Sequence, residues 1–98
     1  MKCTLSEAAA AKISEVIQEQ DDKTLKLRVF IAHSHGDHAH YGLGLDHPTA
    51  NDEVVQTAGI EVILEKGNEF LDGVVIDYDS ERDAWSATNP EKGNHGDH

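Results

Sequence analysis

From Ser6 to Gln20 the chain reads SEAAAAKISEVIQEQ, with Ala9, Ile13, Val16, Ile17 and Gln20 recurring at three- and four-residue intervals. That spacing predicts one amphipathic helix. Ser6 is a suitable N-cap, Glu7 favours the positive end of the helix dipole, and Leu5 is placed to pack back on the first turns. After the polar break QDDK the period changes to two. LKLRVFIA alternates Leu25, Leu27, Val29 and Ile31 against Lys26 and Arg28, the pattern of a strand with one buried face. HYGLGLD, EVVQT, IEVIL, GVVIDYD and AWSATN continue in the same manner. Turn chemistry divides them at His47-Pro48, Ala58-Gly59, Lys66-Gly67-Asn68, Asp72-Gly73 and Asn89-Pro90, and NEFLDG is a candidate helical turn. One helix and about six short strands predict an α+β domain dominated by antiparallel sheet over residues 1–90. The tail, residues 91–98, contains no apolar residue and is expected to be flexible.

Charge narrows the function classes. Nineteen acidic residues against eight basic ones give a formal charge of −11, which repels phosphate backbones and anionic lipid and favours cations. The one cysteine, Cys3, excludes an internal disulfide and points to a reducing, cytoplasmic setting. Glu7, Lys12 and Glu15 interrupt the alanine run, so it is neither a signal-peptide core nor a membrane span.

The most distinctive chemistry is the string HSHGDHAH at residues 33–40. A two-residue turn at Gly36-Asp37 would place His35 opposite His38 and His33 opposite His40, with all four imidazoles on one face. Neighbouring positions would lie about 5 Å apart across the strands and about 6.6 Å along them. Such a square suits chelation of one divalent ion, with Asp37 beside it, and imidazole with carboxylate fits Zn²⁺, Fe²⁺, Ni²⁺ or Cu²⁺. The plainer alternative is a polar hairpin tip.

His33, His35, Asp37 and His38 also spell His-x-His-x-Asp-His, a pattern similar to that of metallo-β-lactamase-like hydrolases. That resemblance implies two metals and a fold about twice this length with further ligands on distant loops. Leu64 to Pro90 supplies no histidine. No nucleophile motif or phosphate-binding loop accompanies the string, so no catalytic residue is assigned. Asp21-Asp22 and Asp52-Glu53 are expected as solvated turn acids, His47 as an ordinary loop residue, and Tyr78 and Trp85 as core.

Taken in order, LSEAAAAKISEVI, LKLRVFI, YGLGLD, NDEVVQTAGIEVILEKGNEFLDGVVIDY and TNPEKG resemble the HesB/IscA domain of the A-type iron–sulphur carriers, nearly from end to end. The strongest pieces are Leu27-Arg28-Val29, the Tyr41 to Asp46 strand, Asp52-Glu53, and FLDGVVIDY followed by Asn89-Pro90. The resemblance implies an N-terminal helix packed on a β-sandwich of short strands, a homodimer or higher oligomer, and iron–sulphur assembly or acceptor proteins as partners. It also implies three cluster-ligating cysteines, one in a hairpin before the Tyr41 strand and two in the tail. Here the first falls on Gly36 and the pair within His95-Gly96-Asp97-His98, so all three are missing. A conventional iron–sulphur cluster, which depends on thiolates, is therefore not expected. Six of the seven histidines lie in those two segments. The site expected in their place joins His33, His35, Asp37, His38 and His40 to His95, Asp97 and His98 around Zn²⁺, Fe²⁺ or Ni²⁺. The competing expectation is a metal-free scaffold that keeps the family's protein-binding surface.

Overall fold

The computed structural model describes residues 1–35 and 38–90, with the side chains of Ser34, His35, His38 and Ala39 outside that description. The expected turn at Gly36-Asp37 and the whole of the expected tail, residues 91–98, also lie outside the described residues. The element order is β1 (Cys3–Leu5), α1 (Glu7–Gln18), β2 (Lys26–His35), β3 (His38–Asp46), β4 (Asp52–Thr57), β5 (Ile60–Glu65), β6 (Val74–Asp79) and β7 (Ala84–Thr88). The helix starts where its cap predicts: the Ser6 hydroxyl accepts the Ala9 N–H at 3.1 Å.

Two sheets form, a four-stranded one in the order β3-β2-β5-β4 and a three-stranded one in the order β1-β6-β7. Antiparallel pairs join β2 to β3, β4 to β5 and β6 to β7, while β1 to β6 and β2 to β5 run parallel. The α+β class with mostly antiparallel pairing therefore holds, with two corrections. The three-residue β1 was not anticipated, and NEFLDG forms a turn rather than a helical one. β1 escapes the alternation rule because its partner Val74–Ile76 lies about seventy residues on. The hydrogen bonds Gly73 N–H to Lys2 O (2.7 Å) and Ser6 N–H to Ile76 O (3.0 Å) extend that pairing at both ends.

The core lies between the sheets and under α1. Leu27 and Val29 of β2 meet Val62 and Leu64 of β5 on one side, and Ala9, Ile13, Val74, Ile76 and Leu71 close it from the other. The Tyr78 and Trp85 rings meet with centroids 4.6 Å apart and planes tilted by 46°, Tyr78 buried and Trp85 packed against the core edge. Removing this apolar surface from water is the main drive for the fold.

The opposite face of the four-stranded sheet carries Arg28, Phe30, Gly42, Gly44, Ile63 and Val54. β3 and β4 are the two edges, so residues 47–51 must cross this sheet to join them. Arg28 holds the crossing by donating to His47 O at 3.2 Å, and Ile63, its partner on β5, is fully buried although it stands apart from the main core. Phe30 remains 40% exposed, its ring lying on the floor left by Gly42.

Candidate functional site

β2 and β3 extend into a long hairpin, and its register pairs His33 with His40 and His35 with His38. This is the pairing the sequence predicted. A shift between Ile31 and His33 makes it work: Ile31 pairs with Tyr41 and His33 with His40, leaving Ala32 as an extra residue. The bulge returns His33 to the face that Phe30 and Gly42 share, while Ile31 and Tyr41 pack toward the core.

The His33 and His40 rings stand 5.9 Å apart between centroids, tilted by 35°, and both residues are exposed. An ion shared by two imidazoles sits about 2.0–2.1 Å from one nitrogen of each. Two nitrogens are half of a tetrahedral set. Among the described residues no group of three or more histidine, cysteine, aspartate or glutamate side chains is placed to hold a metal. The other expected ligands, the side chains of His35 and His38 together with Asp37, His95, Asp97 and His98, lie outside the described residues.

A cluster bound through cysteine does not fit this chain. Cys3 is its one thiol, and it sits on β1 in the core, 8% exposed. Burial pushes its pKa up to about 11, so the thiolate that a cluster needs is disfavoured.

Below the histidine pairs, three chain segments converge on one carbonyl. Tyr41 Oη donates to Phe70 O at 2.8 Å, and Asn89 Nδ2 donates to the same oxygen at 2.8 Å and to Asp72 O at 2.8 Å. Asn89 is fully buried. Burial raises the Tyr41 phenol above its ordinary pKa, which keeps the hydroxyl protonated as a donor. Asn89-Pro90 stood out in the sequence as a turn, but the role of its amide depends on contacts with residues 70 and 72 that no local pattern announces.

The acids at 52 and 53 were expected as solvated turn residues, and both are corrected: they lie on β4, where half-buried Glu53 accepts from the Met1 ammonium at 3.0 Å and Asp52 is bound still more tightly. Its carboxylate is 3% exposed and bound by Arg28 Nη2 at 2.7 Å, with Thr49 N–H also at 2.7 Å. The Arg28 hydrogen bonds hold it well below the usual carboxylate range. Arg28 Nε also binds Asp46 at 2.9 Å. His47, expected as an unremarkable loop residue, lies 2.8 Å from Asp22 and 3.2 Å from Thr24 Oγ1, fastening the crossing loop to the segment before β2. No described helix is long and apolar enough to cross a membrane.

Comparison with known proteins agrees with this architecture. Residues 1–92 match the family described as iron–sulphur cluster biosynthesis. The iron–sulphur cluster insertion protein ErpA of Hydrogenovibrio crunogenus is 36% identical over 75 residues, covering 74% of this chain and 66% of that protein. The SufA protein of Bacillus subtilis is 32% identical over 77 residues, covering 76% and 64%. The chain thus spans less than two thirds of the length of these curated relatives. Among solved structures, IscA with its 2Fe-2S cluster superposes with a TM-score of 0.72 at 25% identity, over 91% of this chain and 86% of that one. Escherichia coli SufA, involved in biosynthesis of iron–sulphur clusters, gives 0.72 at 22% identity over 93% and 88%, a likeness of fold.

Proposed function

The chain belongs to the iron–sulphur cluster biosynthesis family, and from that premise we propose that it is a non-catalytic carrier holding a divalent ion on imidazoles. Zn²⁺, Fe²⁺ and Ni²⁺ are the ions that suit such a donor set. The supporting observation is the His33–His40 pair, aligned in register at 5.9 Å on the hairpin where the family resemblance places a cysteine. In this reading His35, His38 and Asp37 complete the hairpin's donors, and His95, Asp97 and His98 reach it from the tail of the same or a neighbouring subunit. Iron–sulphur assembly and acceptor proteins are its partners, and a homodimer or higher oligomer is its working form.

The test is metal analysis of tag-free protein, then titration of the chelator-treated chain with Zn²⁺, Ni²⁺ and Fe²⁺, alongside a His33→Ala, His40→Ala variant. Near-stoichiometric binding that the double substitution abolishes is the expected result. Equally weak binding by both proteins would instead favour a metal-free scaffold.

A further inference from the structure

The His33–His40 pair offers an ion two nitrogens, and among the described residues no third histidine, cysteine, aspartate or glutamate side chain is placed to join it. A second copy of the chain supplies the missing half with matching symmetry. The four ligands of a tetrahedral ion divide into two pairs related by a two-fold axis, and the commonest homodimer presents the same patch from both subunits about such an axis. We infer that His33 and His40 of two copies close on one divalent ion on that axis, making this face of the four-stranded sheet a metal-bridged interface between copies of the chain.

The surface around the pair suits close approach. On the same face, His33 opposite His40 is followed by Phe30 opposite Gly42 and then by Arg28 opposite Gly44. Neither glycine raises a side chain, so β3 is low there and only the Phe30 ring stands over it. Phe30 and Val54, 40% and 39% exposed, are the exposed large hydrophobics among the described residues, and both belong to this face. They cannot hold two chains unaided. A stable interface takes about 800 Å² from each partner, whereas even a fully buried phenylalanine gives up only about 150–250 Å². Each copy also carries a formal charge of −11, so two copies repel. A divalent ion answers both deficits, because it places positive charge between the acidic chains and its four nitrogen bonds supply the attachment that area does not.

The inference rests on the imidazole reading and names a neighbouring subunit as the source of the remaining donors, so near-stoichiometric metal then means one ion for each pair of chains. The chelator-treated full-length chain would be titrated with Zn²⁺ by calorimetry while sedimentation velocity follows its mass, for wild type, His33→Ala/His40→Ala and Phe30→Ala. The expected result is a monomer that becomes a dimer as Zn²⁺ reaches one ion per two chains, reverts with EDTA, and stays monomeric in the histidine variant. Phe30→Ala should keep that stoichiometry and weaken the dimer about ten-fold. One Zn²⁺ per chain with the mass unchanged would overturn the bridge and leave imidazole binding intact. A dimer equally strong without Zn²⁺, one that Zn²⁺ still assembles in the histidine variant, or one undiminished in Phe30→Ala would also overturn it. Failure of the wild-type chain to take up Zn²⁺ would remove the imidazole reading itself and the bridge with it.

Discussion

Arg28 reaches Asp52 through two hydrogen bonds, Nη1 to Oδ1 at 3.0 Å and Nη2 to Oδ2 at 2.7 Å, although β5 lies between their strands. The guanidinium is 20% exposed and the carboxylate 3%, so the pair is shielded from screening by water. It joins the start of β4 to the middle of β2 and, through Asp46 and His47 O, secures the crossing loop at both ends. Arg28→Ala should therefore lower unfolding free energy by about 2–3 kcal/mol, measured by urea denaturation. Arg28→Lys should recover only part, because an ammonium cannot make the two-pronged contact. A loss no larger than that of an exposed surface pair would remove this assignment.

The same pair gives a pH dependence with a definite sign. The Asp52 carboxyl is depressed in the folded chain, chiefly by the Arg28 hydrogen bonds. Its contribution is present above the unfolded value of about 3.9 and is lost as pH falls toward the folded value. Arg28 is raised above its ordinary value, stays protonated throughout, and adds no slope in acid. The stability gap between wild type and Asp52→Asn should be full above about pH 5 and shrink steadily below about pH 4. Denaturation midpoints of both proteins at pH 7, 5, 4 and 3 check this, and a constant gap would contradict it.

The β4–β5 hairpin turns on Ala58 and Gly59, both with positive φ, 52° and 78°. A two-residue turn of this form suits the twist of the flanking strands but favours asparagine or glycine at its first position. Alanine there bears the clash between Cβ and the following carbonyl, worth about 1–2 kcal/mol. Ala58→Gly relieves it at the cost of a more flexible unfolded chain, for a net gain of about 0.5–1 kcal/mol. A thermal scan of the variant should show a raised midpoint, and no change would mean that the clash is relieved elsewhere.

A Cβ built on Gly42 would stand 2.4 Å from the edge of the Phe30 ring. The ring covers a glycine on the facing strand, and its exposure lets it move when pushed. Gly42→Ala should thus cost about 1–2 kcal/mol by displacing Phe30. The cost should vanish in a Phe30→Ala background, where the better strand propensity of alanine prevails. Additive effects in that double-mutant cycle would mean that the glycine serves the backbone rather than the ring.

What the sequence revealed depended on how local the cause was. Ser6 marks the helix start because its partner is Ala9, three residues away. Alternation exposed Leu27, Val29, Val62 and Leu64, since a strand's inner face repeats every second residue. The histidine register followed from a two-residue turn flanked by equal arms, so His33 and His40 meet as expected. Ile63 illustrates the limit: alternation assigns it to the outer face, where its strand partners are Arg28 and Val54, and yet it is fully buried. Asp52 and Asn89 were illegible because their partners Arg28, Phe70 and Asp72 lie 17 to 24 residues away.

Cys3 bears on which ligands this chain can offer. The thiol is packed in the core with its pKa pushed up to about 11. Against an unfolded cysteine near 8.5, its thiolate fraction at pH 8 is reduced on the order of a hundred-fold, before any steric barrier. Iodoacetamide should label the native chain at least that much more slowly than the urea-unfolded chain, as followed by mass spectrometry. Native labelling at the unfolded rate would mean that β1 opens readily and exposes its sulphur. Because a buried, protonated thiol is a poor ligand, Cys3→Ala should leave Zn²⁺ and Ni²⁺ affinity within about two-fold of wild type. A loss beyond that would place the sulphur in the metal site beside the histidines.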